Sequence, residues 1–92
     1  MRTIIENESV GYSSKTIEHN NKKFKIATTN GNCYSHLSIE VYCKDGGLAK
    51  IAFEYDIPNY KRVDYIDSDE RRLEGQRANI KAAEDYINIL DY

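Results

Sequence analysis

Polar and apolar residues alternate through the middle of the chain, as they do in β-strands that bury one face. Apolar side chains occupy every second position in residues 37–43, with polar or amphipathic side chains between them. The alternation resumes after residues 44–47, a turn sequence with two glycines that tolerate positive φ. These segments predict a β-hairpin. We expect its second strand to bury Ala49, Ile51, Phe53, Tyr55 and Ile57 on one face.

An earlier segment, residues 23–28, alternates in the same way and is followed by Asn30-Gly31, a dipeptide typical of tight hairpins. It predicts a third antiparallel strand, so that the three strands form a meander. Residues 3–5 are a candidate fourth strand. The polar residues 9–21 predict a frayed or edge segment.

The carboxyl-terminal third has the pattern of one long helix. Pro58 ends the last strand because it cannot donate to the ladder, and a connector follows it. Asp67 and Glu70 have the spacing of a capping box, which predicts Asp67 as the N-cap. One helical stripe is formed by Leu73, Ile80, Ala83, Ile87 and Leu90. Gly75 interrupts this pattern, and glycine within a helix costs about 1 kcal/mol of stability relative to alanine. It therefore marks either a close contact or a weak point in the helix.

These elements predict an α+β fold in which a three- or four-stranded antiparallel meander sheet packs against one long C-terminal helix. The 92 residues form a single domain, residues 1–92, because a second core needs roughly 50 more residues. The longest apolar run is two to three residues, whereas a membrane helix requires about 20. We therefore expect no membrane partner.

The charges are unevenly distributed along the chain. The whole sequence has a net charge of −2, which gives little attraction to a nucleic-acid backbone, so we expect no direct nucleic-acid partner. Residues 1–50 carry a net charge of +2 and residues 51–92 carry −4. Any electrostatic recognition therefore depends on where the charges lie.

The sequence offers little for catalysis. Nucleophilic catalysis needs a nucleophile, a base and an orienting group. His19 lies in a polar loop, and Ser35 and Ser38 flank His36 but do not converge with it on one reacting atom, because they are neighbours along a strand. Cys33 and Cys43 lack metal-ligand spacing, and the amino end lacks a signal-peptide pattern. Phosphate-binding glycine motifs are missing from the sequence. We predict a protein of the reducing cytoplasm that is not an enzyme and has no cofactor.

A cluster of acids is the strongest functional feature. Residues 54–70 hold six acids and two bases, a local net charge of −4. Alternate residues on a strand lie about 6.6 Å apart, and residues one helical turn apart have Cβ atoms about 5–6 Å apart. Carboxylates at such intervals resemble a row of backbone phosphates and would fit the basic groove of a DNA-binding protein. The candidate partner-binding acids are Glu54, Asp56, Asp64, Asp67, Asp69, Glu70 and Glu74.

Other interpretations of these residues remain open. Glu74 with Arg77 and Lys81 with Asp85 have the spacing of helical ion pairs that line a solvated face. Oxygen ligands for Mg²⁺ or Ca²⁺ could come from the acids near Asp67, although the calcium-loop pattern is missing. The eight tyrosines also suit a small protein-interaction module whose partner is unrelated to DNA.

The whole chain resembles the Arn anti-restriction proteins of T-even bacteriophages. The similarity lies in its length of 92 residues, its composition rich in Asn, Lys, Ile and Tyr, and its acidic carboxyl-terminal half, and it extends from Met1-Arg2-Thr3 to Leu90-Asp91-Tyr92. No short motif carries it, so no individual residue is assigned through it. The net charge of this chain is −2, which is less negative than that of strongly acidic DNA mimics.

The resemblance implies a dimeric mimic of double-stranded DNA that protects phage DNA in the host bacterial cytoplasm. Its partners would be host DNA-binding proteins, namely the restriction enzyme McrBC and also the nucleoid protein H-NS. We also expect a homodimer from size, because a 92-residue domain is too short to cover many DNA grooves alone.

Overall fold

A computed structural model describes residues 1–90 and 92 and confirms the α+β fold, an antiparallel meander packed against one C-terminal helix. The sheet contains five strands rather than three or four, and neighbouring strands follow the chain order. The strands are β1 (Arg2–Ser9), β2 (Tyr12–His19), β3 (Lys22–Asn30), β4 (Ser35–Tyr42) and β5 (Leu48–Phe53). A 3-10 turn (Glu54–Asp56) follows β5, and helix α1 spans Asp69–Ile89.

The prediction that residues 9–21 form a frayed or edge segment is wrong. Strand β2 lies between β1 and β3 and pairs with both, and its Ile17 is fully buried. The strand turns into β3 through Asn20 and Asn21, whose φ angles of 52° and 64° are both left-handed. Asparagine tolerates this conformation better than most residues, so an Asn-Asn pair closes the hairpin without glycine.

The other turns fit the sequence only in part. Gly46 has a φ of 86° and lies in the predicted hairpin between β4 and β5. Asn30-Gly31 does not form the predicted tight turn, because Asn30 is the last residue of β3 and its buried amide binds α1. Residues 31–34 make the connection instead, with the Gly31 N–H donating to the Tyr34 carbonyl at 2.9 Å.

A β-bulge changes which residues of β5 face the core. Ile39 pairs with Ala52, but Glu40 pairs with Lys50, so Ile51 is an extra residue in β5. The single apolar face predicted for residues 49–57 is therefore wrong. Strand β5 ends four residues earlier than predicted, and the Tyr55 residue is 79% exposed on the following 3-10 turn.

The core lies between α1 and one face of the sheet. From the predicted helical stripe, Ile80, Ala83 and Ile87 are buried. Their partners in the core come from β2 to β5 and from the segment after β5: Ile17, Phe24, Ile26, Leu37, Ile39, Val41, Ala52 and Ile57. The opposite side of the sheet is not covered by the helix, and we call it the outer face.

Two buried amides on α1 fasten the helix to loops. The fully buried Gln76 accepts from the Gly11 N–H at 2.8 Å and donates to the Ser9 carbonyl at 2.9 Å. Asn79 accepts from the N–H of Lys61 at 3.0 Å and donates to the carbonyl of the same residue at 2.8 Å. These bonds satisfy backbone groups that would otherwise be buried without a partner.

The helix begins one residue later than the predicted cap implies. Ser68 is the N-cap, and its hydroxyl accepts from the Arg71 N–H at 3.3 Å. The prediction of Asp67 as the cap is wrong, because the extended φ and ψ of the cap residue fall on Ser68. Asp69 and Glu70 lie in the first turn as predicted, where the helix dipole favours negative charge. Within the described residues, no helix is both long and apolar enough to cross a membrane.

Candidate functional site

The seven candidate acids lie toward one end of the molecule. The 3-10 turn follows the end of β5, which is where the antiparallel strand β4 begins. Helix α1 starts at the same end, since Gln76 in its second turn contacts Asn30 at the end of β3. The fold therefore brings residues from two separate parts of the chain to one end, although it uses them differently.

Glu54 is engaged in the structure of this end. Its carboxylate lies 3.1 Å from Nδ1 of His36 and accepts from the Leu37 N–H at 3.3 Å. Burial alone would raise the pKa of Glu54, but hydrogen bonds from its own backbone, from Leu37 and from His36 hold the pKa below its ordinary value. This carboxylate holds the start of β4 and is only partly available to a partner.

Asp64 is the least accessible of the seven acids. Its side chain is 2% exposed, and both of its oxygens accept from the Arg62 guanidinium, at 2.9 and 2.5 Å. The bonds from Arg62 hold the pKa of Asp64 below its ordinary value against the opposing effect of burial. Asp64 therefore orients the connector and does not present its charge to solvent.

Asp56 is exposed but partly committed. One of its oxygens accepts from the Phe53 N–H at 2.9 Å and closes the 3-10 turn. Its carboxylate forms no ion pair with any of the described residues. Asp56 can present negative charge beside the exposed ring of Tyr55.

The remaining four candidate acids form what we call the acidic end: Asp67, Asp69, Glu70 and Glu74. All four are exposed, and none of them forms an ion pair or a side-chain hydrogen bond in the part of the chain that the structure describes. Arg71 and Arg72 lie among them. Arg72 is turned back into the protein, where it donates to the Ile66 carbonyl at 2.6 Å. The acidic end is therefore the main display of unpaired carboxylates at the start of the helix.

Acids elsewhere on the helix are neutralised by bases. Arg77 does not pair with Glu74 as its spacing allowed, but reaches across to Glu8 on β1. Lys81 pairs with Asp85 at 2.6 Å, the i,i+4 pair that the sequence offered. Lys15 on β2 pairs with Glu84 at 2.7 Å. This pairing leaves the free negative charge of the helix at its amino-terminal end.

The structure adds no reactive cluster to these surfaces. Among residues 1–90 and 92, no group of three or more His, Cys, Asp and Glu side chains is arranged to hold a metal ion. Cys33 and Cys43 are both exposed and free. The nearest approach to a catalytic pair is His36 with Glu54, and it lacks an adjacent nucleophile in the hydrogen bonds of the described chain.

Sequence reasoning missed the buried amides Gln76 and Asn79, which determine how the helix sits on the sheet. Their signal was present, because each lies three or four residues from an apolar stripe position. It also missed the bulge at Ile51, which sends Phe53 to the outer face.

No known protein family, curated protein or solved structure was found to match this chain.

Proposed function

We propose that this protein is a non-catalytic DNA mimic that occupies the DNA-binding site of host DNA-binding proteins. The observation that carries the proposal is the exposure of four unpaired carboxylates at the acidic end, while other helix carboxylates are paired with bases. Exposed carboxylates take the place of phosphates by attracting the Lys and Arg side chains that line a DNA-binding groove.

The size of the acidic end indicates how much DNA it can imitate. Asp69 and Glu74 are five residues apart on the helix, which is about 7.5 Å at 1.5 Å per residue, or about two base pairs at roughly 3.4 Å per pair. Glu70 and Glu74 are one helical turn apart, with Cβ atoms about 5–6 Å apart. A basic groove can approach this end because all four acids are exposed, three of them in the first two turns of α1 and Asp67 just before its N-cap.

The targets follow from the resemblance to the Arn proteins. It implies the restriction enzyme McrBC, and also the nucleoid protein H-NS, as host partners that would be kept from DNA. We propose protection of phage DNA as the biological outcome, in the host cytoplasm. A small interaction module whose partner is unrelated to DNA is the alternative.

A gel-shift competition tests the proposal with purified McrBC and H-NS bound to duplex DNA. We expect the protein to release the DNA, and to do so less well as salt rises because salt screens the carboxylates. A shifted band that persists at every protein concentration at low salt, for both targets, contradicts the proposal and favours the unrelated module.

Matched variants locate the surface. Neutralising three carboxylates of the acidic end as Asp67→Asn, Glu70→Gln and Glu74→Gln should weaken release by about tenfold or more. Glu6→Gln with Asp45→Asn removes two unpaired acids that lie away from the acidic end and the outer face. It is the control for the two-carboxylate variant Glu70→Gln with Glu74→Gln, because both changes alter the net charge equally. Equal loss in both variants would mean that total charge, and not the acidic end, drives binding.

A further inference from the structure

The outer face of the sheet carries a second surface of different chemistry. Side chains of paired residues lie side by side on one face, so the strand register arranges them in rows that cross the sheet. One row contains Tyr12, Thr29 and His36. These residues alternate with core residues such as Ile26 and Leu37, so their side chains point away from α1.

The next row forms the floor of a shallow groove. Ser14, Ala27 and Ser38 are paired across β2, β3 and β4, and Phe53 continues the row on β5. Their small side chains lie between the larger Tyr12 and His36 on one side and a row of charges on the other. Five strands spaced about 4.8 Å apart give this surface a width of about 19 Å.

The charged row consists of Lys25, Glu40 and Lys50, which are paired across β3, β4 and β5. Lys23 lies two residues before Lys25 on β3, and its side chain is therefore on the same face. The three lysines form no ion pair within the described chain, whereas the Arg2 and Glu18 at the rim bind each other at 3.0 Å. The three lysines therefore outnumber the unpaired acids at this surface, which are Glu40 on the sheet and Asp56 beside the Tyr55 ring.

Aromatic rings gather at the β5 end of the groove. The rings of Phe53 and Tyr55 stack with centroids 5.7 Å apart and an angle of 15° between planes, and Lys50 lies 5.4 Å from the Phe53 centroid. Tyr34 and His36 form a second pair, 6.0 Å apart. A depression of about 470 Å³ lies here, and its lining includes Ser38, His36, Phe53, Tyr55, Lys50 and also Glu54, whose carboxylate faces His36.

We propose that the outer face binds single-stranded nucleic acid, with bases stacked on Tyr55 and the neighbouring rings and with phosphates on the lysines. Bases stack on any aromatic face, and phosphates need only nearby cations, so this combination binds single strands with little dependence on sequence. Tyr55 is 79% exposed and stacked on Phe53, so one face of its ring is open to a base.

The proposal replaces the expectation, based on the net charge of −2, that nucleic acid is not a direct partner. The strands place the three free lysines on the outer face, whereas the acidic end lies at the start of α1. Base stacking requires exposed base faces, so the surface should prefer a single strand to a duplex. It is independent of the proposed DNA mimicry.

Fluorescence anisotropy with labelled oligonucleotides of about ten residues tests this inference, since single-strand sites span about 4–16 nucleotides. The probes are oligothymidylate, oligouridylate and a duplex of the same length. We expect both single strands to bind more tightly than the duplex, and binding to weaken as salt rises. Absence of single-strand binding at low salt, or tighter binding of the duplex, would overturn the proposal.

Variants separate the two surfaces. Tyr55→Ala should weaken single-strand binding about fivefold or more. Tyr65→Ala is the control and should not weaken it, because Tyr65 is similarly exposed but lies on the connector. Replacing Lys25 and Lys50 by Gln should reduce the magnitude of the slope of log association constant against log salt concentration by about 1.4, since each phosphate contact of a single strand contributes about 0.7. Replacing Lys61 and Lys81 by Gln is the control and should leave this slope unchanged.

The acidic-end variant tests whether the two surfaces are independent. Its substitutions Asp67→Asn, Glu70→Gln and Glu74→Gln should leave single-strand binding intact. The outer-face variants should likewise still release duplex DNA from its host protein. If Tyr55→Ala and the Lys25 and Lys50 variant bind oligonucleotides as the unmodified protein does, the outer face is not the binding surface and the inference fails.

Discussion

The Val63 side chain packs directly against the Cα of Gly75, so that a β-carbon at position 75 would overlap Val63 Cγ1. Val63 is 2% exposed and cannot easily move. We expect Gly75→Ala to destabilise the protein by about 1–2 kcal/mol. The overlap with Val63 Cγ1 is severe, so the overpacking cost should lie in the upper part of its range of about 1–3 kcal/mol, from which the helix-propensity gain of about 1 kcal/mol is subtracted. Urea unfolding measures the change.

A double variant checks the cause. Gly75→Ala combined with Val63→Ala should be less destabilising than the sum of the single changes, because removing the Val63 methyl groups opens the space. Additive effects would show that Gly75 is required for another reason.

Gln76 should be more sensitive than an ordinary polar residue of the helix. Its replacement by alanine removes the partners of the Gly11 N–H, the Ser13 hydroxyl and the Asn30 amide. We expect a loss of about 3 kcal/mol, since each buried unpaired group costs about 1–3 kcal/mol. Thermal unfolding measures this loss of stability, and Arg71→Ala at an exposed helix position is the control. Equal losses in Gln76→Ala and Arg71→Ala would contradict a structural role of the Gln76 amide.

Stability should fall in acid. The pKa values of Asp64, Glu8 and Glu54 are held below their ordinary values of 3.8, 4.5 and 4.5 in the folded protein. The unfolded state therefore binds protons first, and the free energy of unfolding decreases as pH falls from about 4.5 through the lower folded pKa values. Urea titrations at pH 7, 5 and 3 would show this loss.

Asp64→Asn isolates one contribution to the acid response. The variant should be less stable than the unmodified protein at pH 7. The difference should shrink as pH falls from about 3.8, where Asp64 of the unfolded state is protonated, through the lower pKa of Asp64 in the folded state. A difference that stays constant with pH would mean that the charge of Asp64 is not what stabilises the fold.

Glu54 and the acidic end should respond differently to neutralisation. Glu54→Gln weakens the contacts to His36 and Leu37 and should cost about 1 kcal/mol of stability. The three acidic-end substitutions, in contrast, should alter binding to the host protein more than the unfolding midpoint. A stability loss in the acidic-end variant larger than that of Glu54→Gln would contradict this assignment of roles.

We predict that the protein forms a homodimer through strand β1. All eight residues of β1 are exposed, its outer edge has no partner strand among the described residues, and Ile5 is 56% exposed. The register shift between Thr3 and Ile5 interrupts the start of this edge, so pairing with a second copy should use residues 5–9, where a lysine blocks pairing. Sedimentation equilibrium should give twice 10.6 kDa, and Ile5→Lys should give the monomer. A single species of 10.6 kDa for the unmodified protein would refute the prediction.

The sequence by itself determined the fold class and the approximate positions of β3, β4 and α1. Their signals are local, because alternation along a strand and a helical stripe both follow from which side chains face one core. The hairpin at Gly46 and the charges in the first turn of α1 were equally readable, since each depends on residues adjacent in the chain.

Only the tertiary structure decided how polar residues are used. Ser14 and Thr16 made β2 look like a loop, yet pairing with two neighbouring strands places them inside the sheet. Asp64 and Asp67 are three residues apart in sequence, but one is buried against Arg62 and the other is exposed. Burial and charge pairing depend on groups distant in the chain, which a local pattern does not contain. For the same reason the rows of the outer face emerged only from the strand register.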